Sequence, residues 1–159
     1  MTSPKGTKSQ GTELYMLSID ATPVLVKIGA FTDWSGLGAA KSQIDATNLD
    51  SLAKEYLPGL KDNGAATFNL NLDPTDTGQI SVQAVDDADA TTTFVLLLSD
   101  GTAEPTLTTG VVTPPTTRSS FMFSASVQEF STSGSADAIV KAQLQLRITG
   151  AVTKTWKSA

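Results

Sequence analysis

The 159-residue sequence predicts a mostly β fold: an antiparallel β-sandwich or partly closed barrel with one α-helix. In several stretches, apolar and polar residues alternate with a period of two, as in half-buried strands. Only one stretch, at about 75–88, changes to helical spacing. The strands follow one another and are apolar on one side, which favours packed or curled antiparallel sheets. Long strands with a polar second face also leave edges that another chain can cover.

The N-terminal part contains two predicted strands. Residues 1–11 are small and polar and predict a flexible arm, followed by a single domain at 12–159. Segments 12–20 and 22–31 are rich in strand-forming residues and are separated by a short polar break. The stretch 32–45 begins as a glycine-containing turn and continues as a candidate third strand.

The predicted helix at about 75–88 has local start signals. Asp73 is expected to cap it, Pro74 suits the first helical position, and Asp76 adds negative charge to the first turn. Its expected apolar face recurs at every fourth residue and consists of Ile80, Ala84 and Ala88.

Four later segments complete the predicted β-structure. Residues 65–74 alternate clearly, and a hairpin is expected at 91–109 with its turn at 100–101. Residues 119–130 alternate as well, and 138–150 alternate most regularly. One face of this last strand is predicted to consist of Val140, Ala142, Leu144, Leu146 and Ile148.

The composition leaves little material for catalysis. The chain has no cysteine and no histidine, which excludes disulfides, thiolate metal sites and every Ser-His or Cys-His nucleophile pair. A formal net charge of −5 argues against nucleic-acid binding through phosphate neutralisation. Asp86, Asp87 and Asp89 are expected to be a solvated helix end rather than a cation site. No catalytic, cofactor or metal residue is predicted, and no apolar run approaches the ~20 residues of a membrane span.

The segment IDATNLDSLAKEYLPGLKDNG, at 44–64, interrupts the β pattern with several leucines. Pro58 and Gly59 within it are expected to form a turn. In one interpretation, the leucines pack on the sheet of their own domain, with a short helical segment that Asn48 caps. In the other, they contact another subunit.

This segment resembles the signature region of phage major tail tube proteins of the long, non-contractile siphophage type. Members of that family carry a run of the form I-x-x-T-x-L-D-S…K-E-Y-x-P-G-L-x-D-x-G that leads into a strand. The matching residues are Ile44, Thr47, Leu49, Asp50, Ser51, Lys54, Glu55, Tyr56, Pro58, Gly59, Leu60, Asp62 and Gly64. The predicted helix, the strand FVLLLSDGT and the closing LQLRITGAVTKTW follow in the family's order, so the resemblance covers roughly residues 12–157.

The resemblance implies a structural, non-enzymatic virion protein with a tail-tube-like fold, made in the host cytoplasm and located in the virion tail. Such subunits form six-membered rings that stack into a tube, with strands joined between subunits around the lumen. The implied partners are further copies of the chain, a tape measure protein in the lumen, and tail terminator and baseplate proteins. Double-stranded DNA passes through without specific binding. No cofactor is implied, and the C-terminal immunoglobulin-like domain of many relatives is not expected.

The resemblance also selects the 44–64 segment as the expected contact between subunits. The candidate contact residues are Ile44, Leu49, Asp50, Leu52, Tyr56, Pro58, Gly59, Leu60 and Asp62. Other functions stay open at this point. They are a related tube or ring protein, such as a secretion-system tube or baseplate hub, a monomeric β-sandwich binding module, and a hydrolase that uses two carboxylates.

Overall fold

The computed structural model describes residues 6–158, so residues 1–5, at the start of the predicted N-terminal arm, and residue 159 lie outside it. The described part of the chain contains eleven strands and one helix. In chain order they are β1 (Glu13–Leu17), β2 (Leu25–Ile28), β3 (Phe31–Ser35), β4 (Ala40–Asp45), β5 (Tyr56–Asp62), β6 (Ala65–Asn71), α1 (Thr77–Asp87), β7 (Thr91–Leu97), β8 (Thr106–Thr108), β9 (Val111–Thr113), β10 (Ser120–Ser133) and β11 (Lys141–Thr155).

Seven strands form one antiparallel sheet in the order β2-β1-β7-β10-β11-β6-β3. The long hairpin of β10 and β11 lies at its centre; β7 pairs with residues 120–126 of β10, and β6 pairs with residues 141–147 of β11. Strands β4 and β5 form a separate two-stranded sheet, and so do β8 and β9. The predicted mostly β, antiparallel fold with one helix is confirmed, and the large sheet stays open with β2 and β3 at its edges.

The main core lies on the face of the large sheet that α1 covers. Every second side chain of β6 and of the first part of β11 is buried there, as the alternation predicts; Phe68 and Leu144 are examples. Phe94 of β7 and Phe123 of β10 stack with their ring centroids 5.9 Å apart. A smaller cluster around Val95 includes residues of β8 and β9, so this short hairpin covers part of the opposite face.

Helix α1 begins two residues later than predicted, and a different aspartate caps it. The side chain of Asp76 accepts hydrogen bonds from the backbone N–H of Gln79 at 2.9 Å and from that of Gly29 at 3.1 Å. Asp73, the predicted cap, instead accepts hydrogen bonds from Thr75 in a turn before the helix. Only Asp76 serves both the helix start and the β2–β3 connection, so a tertiary contact fixes the position of the cap.

The buried face of α1 is formed by Val82 and Val85, and the prediction that Ile80 belongs to it is wrong. The three residues of the predicted face are exposed: Ile80, Ala84 and Ala88. A Cβ atom at Gly78 would lie 2.2 Å from a carbonyl oxygen of β2. The first turn of the helix therefore lies directly against that strand, and this contact sets the rotation of the helix.

The predicted hairpin turn at 100–101 is wrong, because β7 pairs with β1 and β10 and not with the strand that follows it. The chain instead continues to the separate hairpin of β8 and β9. Its turn residues Thr109 and Gly110 both have positive φ, 51° and 77°, as a tight two-residue hairpin turn requires. The carboxylate of Asp100 accepts a hydrogen bond from the backbone N–H of Ser119 at 3.0 Å and ties the connection to the start of β10.

Arg118 is buried and connects the N-terminal segment to the sheet. Its guanidinium donates hydrogen bonds to the carboxylate of Glu13 at 2.7 Å and to the carbonyl oxygen of Gly11 at 2.8 Å. Burial raises the pKa of Glu13, but hydrogen bonds from Lys27 and Arg118 outweigh it and hold that pKa below its ordinary value. The segment before β1 is therefore tied to the domain at Gly11, and the flexibility of residues 1–11 stays a prediction.

Candidate assembly surface

One long hairpin lies partly inside and partly outside the large sheet. Strands β3 and β6 pair at the sheet edge. Between them in the chain lie β4 and β5, which within the described residues pair only with each other. We call residues 40–62, which comprise β4, the loop at 46–55 and β5, the hairpin arm. The arm extends from the same pair of strands that closes one side of the core.

A sharp bend separates the hairpin arm from the sheet. Gly36 has a φ of +91°, and a Cβ atom there would lie 2.4 Å from the carbonyl oxygen of Ala65. Gly64 has a φ of +66°, and its N–H donates a hydrogen bond to the carboxylate of Asp62 at 2.9 Å. Asp62 also forms an ion pair of 3.0 Å with Arg147 of β11. Since other residues rarely adopt positive φ, the two glycines permit the bend, and Asp62 connects its base to the sheet.

The apolar side chains of the hairpin arm are not covered by the rest of the domain. Those that are exposed are Ile44, Leu49, Leu52, Tyr56, Leu57 and Leu60. Leu49 and Leu52 are fully exposed, and Leu60 is 89% exposed. Leucine is among the residues most often buried in globular proteins. The interpretation in which these leucines pack on the sheet of their own domain is therefore wrong.

Both sides of the arm carry exposed apolar groups. Ile44 lies directly opposite Leu57, so the two side chains project from the same side. Tyr56, the neighbour of Leu57 in the strand, projects from the other side. A two-stranded hairpin is marginally stable by itself, and a hairpin with several exposed apolar side chains is typical of an interaction site.

Pro58 and Gly59 lie inside β5, and the prediction that they form a turn is wrong. The strand register shifts at this point, which places an extra residue, a β-bulge, in β5. Proline is tolerated because each strand of a two-stranded hairpin has an unpaired edge. A Cβ atom at Gly59 would lie 2.2 Å from the hydroxyl oxygen of Ser42, so glycine permits the close approach of the two strands.

The loop at 46–55 is held by its own side chains and contains no helical segment. The side-chain oxygen of Asn48 accepts a hydrogen bond from the N–H of Asp50 at 2.9 Å, so Asn48 forms a turn and caps no helix. The hydroxyl of Thr47 accepts a hydrogen bond from the N–H of Glu55 at 3.0 Å and joins the two ends of the loop. The loop thereby presents its two leucines at the tip of the arm.

Two residues of this surface were missed in the sequence. Leu57 is exposed opposite Ile44, but the proline and glycine after it conceal the strand pattern. Arg147 was predicted only as part of the polar face of its strand, and sequence distance gives no signal that it pairs with Asp62. The N–H of Gly64 and the charge of Arg147 together hold the pKa of Asp62 below its ordinary value.

Clusters of carboxylates and long apolar helices would mark two other kinds of site, a metal centre and a membrane span. Within 6–158, no group of three or more His, Cys, Asp or Glu side chains could hold a metal ion. Nor does a helix in that range have the length and apolar character needed to cross a membrane. Asp87 and Asp89 are exposed at the end of α1, as expected for a solvated helix end.

Solved structures of tail tubes share the fold of this chain. The SPP1 tail tube superimposes with a TM-score of 0.68 at 13% identity, covering 94% of this chain and 79% of that one. The tail of an empty gene transfer agent particle, solved by helical refinement with C6 symmetry, gives a TM-score of 0.62 at 13% identity. That comparison covers 89% of this chain and 96% of the other.

Sequence comparison identifies the family. "Structural protein 3" of Pseudomonas phage PAJU2 is 30% identical over 148 residues, which cover 90% of each chain. Residues 5–158 match the family described as "Phage tail tube, TTP, lambda-like". The chain therefore belongs to the lambda-like phage tail tube family and is a structural protein of the virion tail.

Proposed function

We propose that copies of this chain form six-membered rings that stack into the tail tube, and that the hairpin arm is a principal contact between subunits. The observation that carries this proposal is the exposed apolar arm on an otherwise well-packed domain. The proposed contact residues are those expected from the sequence, with the addition of Leu57: Ile44, Leu49, Asp50, Leu52, Tyr56, Leu57, Pro58, Gly59, Leu60 and Asp62.

Burial of the exposed leucines in such a contact contributes a large favourable free energy for an arm of this size. Full burial of a leucine side chain contributes about 1.5–3 kcal/mol relative to exposure. Leu49, Leu52 and Leu60 are almost fully exposed in the free chain, so their burial on assembly contributes nearly all of this free energy. Part of it offsets the cost of ordering the arm and of association, because binding immobilises side chains and whole subunits.

Sheet edges support the proposal that strands join between subunits. β11 pairs with β6 only as far as Arg147, so residues 149–155 have β10 as their one strand neighbour within the described chain. Strands β2 and β3 also have an open edge each. Exposed edges of this kind are normally covered or paired, and pairing between subunits of a ring covers them. The C6 symmetry of the gene transfer agent tail, which has the same fold, supports a six-membered ring.

The further proposed partners lie inside and at the ends of the tube. We place the tape measure protein in the lumen during assembly, double-stranded DNA in the lumen during delivery, and terminator and baseplate proteins at the two ends. The net charge of −5 supports passage of DNA without binding, because a surface of like charge does not release counterions from phosphates.

Replacement of the arm leucines by serine tests the proposed contact. In the variant Leu49→Ser, Leu52→Ser, Leu60→Ser, we expect a folded monomer whose threshold concentration for assembly rises by at least tenfold for each leucine, since about 1.4 kcal/mol corresponds to a factor of ten. Sedimentation velocity and negative-stain electron microscopy over a concentration series measure assembly, and circular dichroism checks the fold.

A matched control variant carries Ile19→Ser, Val24→Ser and Val111→Ser, which replace three exposed apolar residues outside the arm. We expect it to retain tubes near the wild-type threshold. Normal assembly of the arm variant contradicts the proposed contact. Uniform monomers of the unchanged chain at every concentration contradict the proposed tube itself.

A further inference from the structure

The turn at 62–64, which we call the base turn, contains the one asparagine of the sequence that glycine follows. The other three asparagines, Asn48, Asn69 and Asn71, precede leucine. Asparagine is a thermally labile residue, because the backbone nitrogen of the next residue can attack its side-chain amide carbon. Glycine in the next position has no side chain to hinder this attack. The sequence therefore makes Asn63 the most reactive asparagine of the chain.

The folded structure holds the base turn against β11 at three points. The side-chain nitrogen of Asn63 donates a hydrogen bond to the carbonyl oxygen of Gly150. The carbonyl oxygen of Gly64 accepts a hydrogen bond from the N–H of Ile148 at 3.0 Å. The third point is the ion pair that Asp62 forms with β11. Asn63 is consequently only 6% exposed, although it lies in a turn.

Both groups that would react are engaged in this arrangement. The side-chain amide of Asn63 is bonded to Gly150, and the N–H of Gly64 donates to the carboxylate of Asp62 at 2.9 Å. The pKa of Asp62 is lowered, so this carboxylate is charged at neutral pH. A negative charge beside the Gly64 nitrogen opposes loss of its proton, because that loss would create a second negative charge. The closed base turn is therefore expected to react slowly.

We propose that Asn63 is a site of spontaneous deamidation that reacts when the base turn leaves β11, and that the product prevents the turn from closing again. This inference concerns the single chain and does not depend on the proposed tube. The Gly64 nitrogen forms a bond to the side-chain carbon of Asn63, and ammonia leaves with the amide nitrogen and the proton of the Gly64 N–H. Water then opens the cyclic imide at one of its two carbonyl carbons and gives aspartate or isoaspartate.

Neither product restores the contacts of the base turn. Aspartate has no side-chain N–H to donate, so a carboxylate oxygen would face the carbonyl oxygen of Gly150. A buried charge without a partner is unfavourable. Isoaspartate adds a methylene group to the backbone and displaces Gly64 relative to Ile148. A cavity of about 190 Å³ borders Asn63 and Gly150 and has room for the water that the second step consumes.

Labelling with heavy-oxygen water tests the site on the unchanged chain. The protein is incubated in mildly alkaline buffer, with and without urea, and mass spectrometry of its peptides follows the label. In urea we expect label at Asn63 and little at the three asparagines that precede leucine. Without urea we expect the rate at Asn63 to fall by about tenfold or more, which corresponds to an opening free energy of about 1.4 kcal/mol or more.

Two outcomes of the labelling overturn the deamidation site. One is an equal rate at Asn63 with and without urea, which would show that the folded base turn gives no protection. The other is a chain in urea that takes up no label at Asn63, or takes it up faster at an asparagine that precedes leucine.

Arg147→Met tests whether the contact with β11 controls the rate, because it removes the ion pair and leaves residues 61–65 unchanged. We expect the rate at Asn63 without urea to rise roughly twofold to fivefold, the range for an exposed ion pair, and the rate in urea to stay the same. Lys141→Met is the matched control, since Lys141 is an exposed cation of β11 that forms no ion pair within the described residues. Equal rates in the two variants overturn control by this contact.

Hydrogen exchange tests the consequence of the modification. In Asn63→Asp, which reproduces the aspartate product, we expect the N–H groups of Gly64 and Ile148 to exchange about tenfold faster or more. Asn48→Asp is the matched control, because the side-chain oxygen of Asn48 accepts the hydrogen bonds in its loop and aspartate keeps an oxygen there. Unchanged exchange in Asn63→Asp overturns the release of the base turn. If Asn63→Asp does not fold, Asn63→Ala, which removes the donor without adding a charge, is measured in its place with the same two outcomes.

Discussion

Strands β6 and β5 have the same length, follow one another in the chain and differ completely in burial. In β6 the side chains alternate between buried and half-buried, whereas in β5 all but one are exposed. Both have a partner strand from the same hairpin. The difference is that β6 has a second neighbour, β11, and lies over the core that α1 covers, while β5 has neither.

This comparison shows that strand pairing and core burial are separate properties of the same backbone. Hydrogen bonds to one neighbour are sufficient to give β5 its conformation, but only a third element can remove its side chains from water. In the described chain, the arm lacks that third element. We propose that another subunit supplies it.

The largest expected effect is a core truncation in β6. Phe68 is fully buried, and its ring lies 5.9 Å from that of Phe31 between centroids. Phe68→Ala is expected to lower the free energy of unfolding of the monomer by about 3–5 kcal/mol, because it removes buried surface and leaves a cavity. Urea denaturation followed by circular dichroism measures the change.

The matched control lies in β5. Leu60→Ala removes a side chain that is 89% exposed, so the free energy of unfolding of the monomer is expected to stay within about 0.5 kcal/mol of the wild type. Equal losses at the two positions would show that the arm is packed in solution and would remove the distinction between the two strands.

A smaller loss is expected when the buried arginine is replaced. Arg118→Met leaves the carboxylate of Glu13 and several carbonyl oxygens without a buried partner, which is expected to cost about 3 kcal/mol in unfolding free energy. Lys27→Met removes the exposed partner of the same carboxylate and is expected to cost about 1 kcal/mol or less. Denaturation at pH 7 compares the two; a greater loss for Lys27→Met would contradict the role of burial.

The pH dependence gives an independent check on this pair. Because the pKa of Glu13 is lowered in the folded chain, its contribution to stability is complete above the ordinary value of 4.5 and disappears as the pH falls through the folded value. We expect Arg118→Met to weaken this loss below pH 4.5. An unchanged acid profile in that variant would contradict the assignment.

A loss similar to or smaller than that of Arg118→Met is expected at the bend between sheet and arm. Gly36→Ala places a Cβ atom against a backbone carbonyl at a φ of +91° and is expected to cost about 1–3 kcal/mol in unfolding free energy. Gly38→Ala is the matched control, because a Cβ atom there meets no atom within 4 Å. We expect this control to be neutral or slightly stabilising in thermal denaturation, and a similar loss at both glycines would contradict the importance of the bend.

Local patterns predicted much of the fold. Alternation identified β6, β10 and β11 and their buried sides, and helical spacing located α1 to within two residues at each end. The resemblance of the 44–64 segment gave the family, which is confirmed together with the structural, non-enzymatic role and the location in the virion tail. Membership of this family also excludes the hydrolase and the monomeric binding module as the function of the chain.

The wrong predictions have one cause, which is that local signals do not choose between partners. Residues 100–101 have the composition of a hairpin turn, yet β7 finds its partners in β1 and β10. Asp73 and Asp76 are equally good caps in sequence, and the contact with Gly29 selects the second. Pro58 and Gly59 suggest a turn, but a bulged strand with a free edge accommodates both.

The sequence by itself determined most strands of the large sheet, the place of the helix in the chain, and the family to which the chain belongs. These are properties of residue spacing and type. Only the tertiary structure decided that the arm leaves the sheet, that Arg118 is buried, and that the leucines of 44–64 have no partner in their own domain. Burial depends on which distant segments meet. The identity of an apolar residue does not reveal whether the core of its own domain covers it.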